Sequence, residues 1–240
     1  MGTRLGAPPE SAASPDRETI RGFFDSIASR YDWVNTVLSL RLDESWRKRA
    51  VRLILEGERP ESILDLGVGT GKFLEGFFED RSWTLAVGVD FSNQMLKLAR
   101  SRLPAGSSLV QADIHDLPFE GESFDLIVSS FTLRSIKNIP YFFKEAHRIL
   151  KPNGKAAFLC LTRPDSFFLR MLYWPYLKFY LPAVGRLLSK EREAYQFLSA
   201  SIRAFPSPRE LAAKLEARGF HEVSIFPFSG GISTLITARK

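Results

Sequence analysis

The residues able to do chemistry are concentrated around one cluster of glycines and three acids, each acid at or near the end of a short apolar run. Asp65 lies in "SILDLGVGTGKF", two residues ahead of Gly67, with Gly69 and Gly71 following at alternate positions. Asp90 closes "TLAVGVD" and Asp113 closes "SLVQAD". Glycines between a strand and a helix supply dihedrals that other residues avoid and leave no Cβ between backbone and ligand. The spacing is not the dinucleotide fingerprint G-x-G-x-x-G, because Lys72 stands where its third glycine is required. It is not a P-loop either, since Gly71-Lys72 runs into Phe73 and Leu66 holds the place of the first glycine. Asp65 would repel a pyrophosphate but suits the ammonium of an amino acid. Asp90, about twenty residues past the turn, can accept both hydroxyls of a ribose. Asp113, with the Ile114 backbone beside it, can receive an exocyclic adenine amine.

A lone acid at a strand end is a helix cap or a solvated loop residue. Three of them around G-x-G-x-G, with Phe91 next to Asp90 on the same rim, describe an amino acid, a ribose and an adenine in one ligand. Those are the parts of S-adenosyl-L-methionine. His115 and Asp116, just past the third of these runs, are candidate general bases, and a histidine has the right ordinary pKa of ~6.5. His147, His221 and Cys160 have no metal-ligand spacing, so no metal is expected.

These groups need strands that end together. "SILDLG", "TLAVGVD", "SLVQAD", "FDLIVSSF" and "KAAFLCLTR" read as strands. "KFLEGFFED", "SNQMLKLARSRL" capped by Ser92, and "NIPYFFKEAHRILKPNG" stopped by Pro152 and Gly154 read as the helices between them. Such alternation predicts a parallel sheet covered on both faces. "SPRELAAKLEARGF" adds a helix, and "HEVSIFPF" and "GISTLITAR" an antiparallel hairpin at the sheet edge. The expected fold is therefore an α/β, Rossmann-like, doubly wound sheet of seven strands, mostly parallel with the last strand antiparallel. Apolar spacing makes residues 19–57 helical, ahead of the sheet. Residues 1–18, rich in Pro, Ser and Ala, read as a disordered arm, with 19–240 as one domain.

The net charge of +6 permits acidic ligands, anionic membranes or nucleic acid as partners. Much of the excess lies in a segment before the last helix, where eight Lys or Arg face three acids between Arg163 and Arg209. Residues 163–205 also hold ten of the thirty aromatics. This insert reads as a helical lid, as a peripheral contact with a lipid surface, or as both, and Pro175 and Pro182 oppose one continuous helix. No secretory signal and no spanning run is visible, which suggests a cytoplasmic protein at most peripheral to the inner face of a membrane, with a homodimer as one expected form. Aromatics among cations also suit RNA, but no RNA-binding module or base-amine motif follows the fourth strand, and nucleic acid is not expected.

The sequence resembles class I S-adenosylmethionine-dependent methyltransferases and, more narrowly, the ubiquinone/menaquinone biosynthesis C-methyltransferases. "FDSIASRYDWVNTVLSLRLDESWRKRAV", "LDLGVGTG", "DFSNQMLKLAR", "ADIHDLPFEGESFDLIVSSFTLRSI" and "RILKPNGKAAFL" carry the likeness. It implies donor contacts at Thr70, Asp90, Asp113, Ile114 and Ser130, with Tyr31 and Arg134 facing the reacting centre. It also implies methylation of a ring carbon of a prenylated quinol. Where that family usually reads Phe-Gly-Leu-Arg-Asn, this chain has Thr132 and Ser135 around Arg134. Arg134, protonated up to a pKa above ~12, would stabilise a phenolate or hold a water. Tyr31 would hydrogen-bond the ring oxygen or the donor carboxylate. Another small aromatic substrate, or a non-catalytic protein that keeps the donor fold, are the alternatives.

Overall fold

A computed structural model describes residues 22, 25, 28–79, 82–164, 166–180 and 201–240. The arm expected over 1–18 and the part of the insert over 181–200 lie outside the described residues.

Seven strands form one sheet: β1 (Ser62–Leu66), β2 (Leu85–Asp90), β3 (Ser108–Gln111), β4 (Phe124–Ser130), β5 (Leu150–Leu161), β6 (His221–Phe228) and β7 (Ser233–Arg239). Their order is β3-β2-β1-β4-β5-β7-β6. Pairing is parallel from β3 through β5, and β7 runs antiparallel to both of its neighbours. The expected hairpin is therefore present, with its second strand on the inner side and β6 at the edge. All five residues of β1 are buried. Because side chains alternate across a strand, Leu64 and Leu66 join one apolar cluster and Ile63 another on the opposite face.

Helices cover both faces. Here α1 is Tyr31–Leu38, α2 Leu42–Leu55, α3 Lys72–Glu75, α4 Asn93–Arg102, α5 Ile139–Ile149, α6 Phe167–Pro175 and α7 Pro208–Glu216. Leu64 and Leu66 pack with Phe142, Phe143 and Ala146 of α5 and with Leu211 and Leu215 of α7. Ile63 packs with Trp46, Ala50 and Ile54 of α2 and with Leu96 and Ala99 of α4. Ser92 Oγ accepts from Met95 N–H (3.1 Å), capping α4 as its sequence predicts. Ser207 and Glu210 form a capping box at the start of α7.

Two boundaries differ from expectation. The helix expected to run to Pro152 ends at Ile149, and Leu150 pairs with Phe124 as the first residue of β5. A proline disfavours helical backbone at the residue before it, so Lys151 is already extended. Pro175 does not interrupt the insert outright. Lacking an N–H, it closes α6, and the chain continues as a wider π-helical turn over Tyr176–Tyr180. The rings of Tyr173, Tyr176 and Tyr180 stack at centroid separations of 5.5 and 5.3 Å. The Tyr176 hydroxyl donates to the Leu38 carbonyl, which fastens the insert to α1. Among the described residues no helix is long and apolar enough to cross a membrane.

Candidate active site

Strand order reverses between β1 and β4, and a cleft opens at their carboxyl ends, where open α/β sheets bind ligands. The Gly67 and Val68 N–H groups both donate to Val89 O (2.8 and 2.9 Å), folding the glycine turn against the end of β2. Gly67 has φ +76°, and a Cβ there would lie 2.4 Å from the Thr132 methyl group. Gly69 also has positive φ, but its missing Cβ would point into open space. Gly71 is off the cleft wall and packs against Ala99 and Leu103.

The donor-side residues named from sequence fall mainly on one wall: Gly67, Gly69, Thr70, Asp90, Phe91, Asp113, Ile114 and Ser130 all line the cleft. Asp90 Oδ2 accepts from Gly69 N–H and Oδ1 from Ser92 N–H, each at 2.9 Å. Burial raises its pKa while these bonds oppose the rise. A third backbone hydrogen bond comes from Phe91, and a carboxylate with about four acceptor sites can still receive a ligand hydroxyl. Asp113 Oδ1 accepts from the His115 backbone N–H (2.9 Å) and lies 2.8 Å from His115 Nδ1. A carboxylate only accepts, so Nδ1 carries the proton. His115 thus lines the cleft and no part of the second cavity described below.

Asp65 departs from expectation in location. It lies beneath the turn rather than on the cleft wall, because the turn folds back over the end of β1. It is 1% exposed, and neither carboxylate oxygen has a hydrogen-bond partner among the described residues. Burial, reinforced by nearby Asp90 and opposed by Arg47, pushes its pKa up to about 8.

Three groups that the sequence reading missed complete this wall. Asp32 Oδ1 accepts from Thr70 Oγ1 and Asp32 Oδ2 pairs with Arg102 Nη2, both at 2.8 Å. That clamp ties α1 and α4 to the turn. Arg47 of α2 and Phe131 after β4 also line the cleft, with the Arg47 guanidinium 5.0 Å from the Phe131 ring centroid. Asp32 and Arg47 carry no local signal, since their position follows from how α1 and α2 dock.

A second cavity of about 280 Å³ adjoins the cleft and shares Tyr31, Arg47 and Phe131 with it. Its other walls are mostly apolar: Leu38 of α1, Trp46 of α2, Leu161 of β5, Tyr173 of α6, and Ile202 and Ile232. Arg134 opens into this chamber and not into the cleft. Its Nη1 donates to Ser201 Oγ at 3.3 Å, and its buried Nε has no hydrogen-bond partner among the described residues. Burial lowers its pKa, and the neighbouring Tyr31 works the other way. Asp116, expected as an alternative base, is exposed and lines neither cavity. It follows the turn that closes beyond Asp113, which points the chain away from the cleft.

A reversed parallel sheet, a Cβ-free turn and acids on neighbouring strand ends define a methyltransferase of the Rossmann-like class. A solved structure from Thermotoga maritima, described as a SAM-dependent methyltransferase, has the same fold, with TM-score 0.66 and 23% identity over 92% of this chain and 99% of that one. A sequence model of the ubiE/COQ5 methyltransferase family matches residues 12–240. The demethylmenaquinone methyltransferase of Bacteroides fragilis is 33% identical over 97% of this chain and 96% of its own length. That of Thermotoga maritima is 38% identical over 85% and 88%. The chain belongs to the ubiE/COQ5 methyltransferase family.

Proposed function

We propose that this methyltransferase uses S-adenosyl-L-methionine to methylate a ring carbon of a demethylmenaquinol. One observation carries the reading: a cleft lined by Asp90 and Asp113 and an apolar chamber meet across Tyr31, Arg47 and Phe131, with a buried arginine on the chamber side. The cleft residues fit the donor. Asp90 and Asp113 offer carboxylate lone pairs to a ribose and an adenine amine, and the bare backbone at Gly69 admits close approach. When bound, the donor supplies a methyl group on a sulfonium whose positive charge is lost on transfer.

The chain's own residues then have two tasks. The first is alignment, which can be worth an effective molarity of ~10⁵ M or more. Arg102, Asp32 and Thr70 keep the turn fixed against α1, and Phe131 and Tyr31 separate the cavities. The second is activation of the ring. A ring carbon becomes nucleophilic when the neighbouring hydroxyl loses its proton, and the Arg134 guanidinium, short of partners in a low-dielectric chamber, stabilises the phenolate oxygen. Tyr31 hydrogen-bonds the same oxygen from the shared wall. The phenolic proton leaves to water, the ring-carbon proton is lost after methyl transfer as the ring regains aromaticity, and the oxygen then takes a proton back, so that one proton is released per turnover.

The isoprenoid tail suits the apolar chamber. On the solvent side of the insert, Phe168, Met171, Trp174 and Phe179 are each half or more exposed, and Lys178 lies over the Trp174 and Phe179 rings at 4.3 and 5.3 Å. Rings and a cation together suit a lipid surface, from which a prenylated acceptor would enter. Incubation with methyl-labelled donor and demethylmenaquinol is expected to label the ring carbon. Label confined to oxygen or nitrogen, or no turnover of that quinol, overturns the reading.

A further inference from the structure

We propose that Tyr173 binds the second oxygen of the acceptor ring, and so selects a ring with two para hydroxyls over a ring with one; this assignment rests on the quinol reading above. Tyr173 is the most buried of the three tyrosines stacked along the insert. The hydroxyls of the other two are spent on consecutive carbonyls of α1: Tyr176 donates to Leu38 O, and Tyr180 to Val37 O at 3.3 Å. The Tyr173 hydroxyl makes no such bond among the described residues. It is not sealed inside protein as the unpartnered Arg134 Nε is, and Tyr173 forms part of the chamber wall. The residue is 8% exposed. Its ring lies against Tyr176 and packs with Val34 and Leu38 of α1 and with Ile202. The ring is thus held in place while its hydroxyl stays available. Burial raises its pKa to about 12, so the hydroxyl keeps its proton near neutral pH and can donate it in a hydrogen bond.

The chemistry of the acceptor identifies what this hydroxyl meets. A para-quinol carries two ring oxygens. The one beside the carbon that receives the methyl group is served by Arg134 and Tyr31. The other adjoins the carbon that bears the isoprenoid tail, so it enters the chamber with the tail, among mostly apolar walls. Without a partner there it would forfeit the hydrogen bonds it had in water. Other polar groups of the chamber are engaged. Trp46 Nε1 donates to Ser229 Oγ at 2.9 Å, and Asp43 accepts from Ser39 Oγ at 2.7 Å and from Arg47. Asn35 follows Tyr31 by one turn of α1 and shares its wall. Tyr173 comes from α6, a separate element, and brings the hydroxyl that the second oxygen requires.

The test compares wild type with Tyr173→Phe, which removes one oxygen and leaves the stacked ring. Two ligands are used: demethylmenaquinol as substrate, and the matching 3-prenyl-1-naphthol as an inhibitor of its turnover. The naphthol keeps the hydroxyl beside the reactive carbon and lacks the second one. In the variant, KM for the quinol is expected to rise roughly 5- to 30-fold, the loss of one buried hydrogen bond. Its kcat should stay within about twofold, because the bond is made equally in the ground and transition states. The inhibition constant of the naphthol should also stay within about twofold, since that ligand has no second oxygen to lose. The hydroxyl makes no bond among the described residues, so folding should be unaffected, with Tm equal to that of wild type. An equal rise in both constants would mean that Tyr173 only packs the chamber, and overturns the assignment. An unchanged KM for the quinol overturns it as well. A wild-type protein that does not turn over the quinol overturns the quinol reading, and this assignment with it.

Discussion

Replacing Asp65 by asparagine isolates the energetic effect of one buried carboxyl group. In the folded chain its pKa is pushed up to about 8 by burial and by Asp90; in the unfolded chain it returns to the ordinary ~3.9. Between those values the folded state holds a proton that the unfolded state has released. A state that binds more protons loses stability as pH rises, here by ~1.4 kcal/mol for each pH unit, and on the order of 5 kcal/mol across the interval. Asp65→Asn removes this term and keeps a neutral, nearly isosteric group. Relative to wild type, the variant should therefore gain ~2–3 kcal/mol between pH 5 and pH 7. For a chain of this size that corresponds to a relative Tm change of roughly 5–10 °C. Scanning calorimetry of the two proteins at pH 5, 6 and 7 reads the effect directly. Parallel Tm curves would refute the claim that Asp65 is neutral beneath the turn.

Two further perturbations probe the turn and the chamber. Gly67→Ala forces a Cβ against Thr132 at positive φ, and urea denaturation should find it destabilised by about 1–3 kcal/mol; stability equal to wild type would mean the turn and the Thr132 loop do not touch as described. Arg134→Met should lower kcat by about 10² or more with S-adenosylhomocysteine affinity unchanged, because Arg134 faces the chamber alone; a parallel loss of affinity would put it in the donor cleft instead.

The sheet was legible because its signals are local. Apolar runs ending in Gly67, Asp90 and Asp113 mark strands by themselves, and parallel strands buried on both faces need no alternation to be recognised. The cleft wall at those strand ends was legible with them. The place of Asp65 beneath the turn was not legible, because the sequence gives its distance along the chain but not the fold-back of the Gly67 and Val68 N–H groups onto Val89. Arg47 and Asp32 were missed for a related reason: each sits on a helix with ordinary spacing and acquires meaning only when α1 and α2 dock across the sheet. The end of α5 was overrun because its apolar periodicity continues through Leu150, while strand pairing with Phe124 takes that residue.

Thr132 fills the hollow that Gly67 leaves, and its hydroxyl reaches back to the Gly67 and Ser130 carbonyls at 3.3 and 3.1 Å. The segment that follows it carries Arg134 into the apolar chamber. The cleft and the chamber are thus geared through a single threonine. Anyone retuning this protein for a new acceptor by reshaping residues 131–135 would disturb its hold on the donor in the same stroke, so variants with altered selectivity should emerge first from the α1, α2 and α6 side of the chamber.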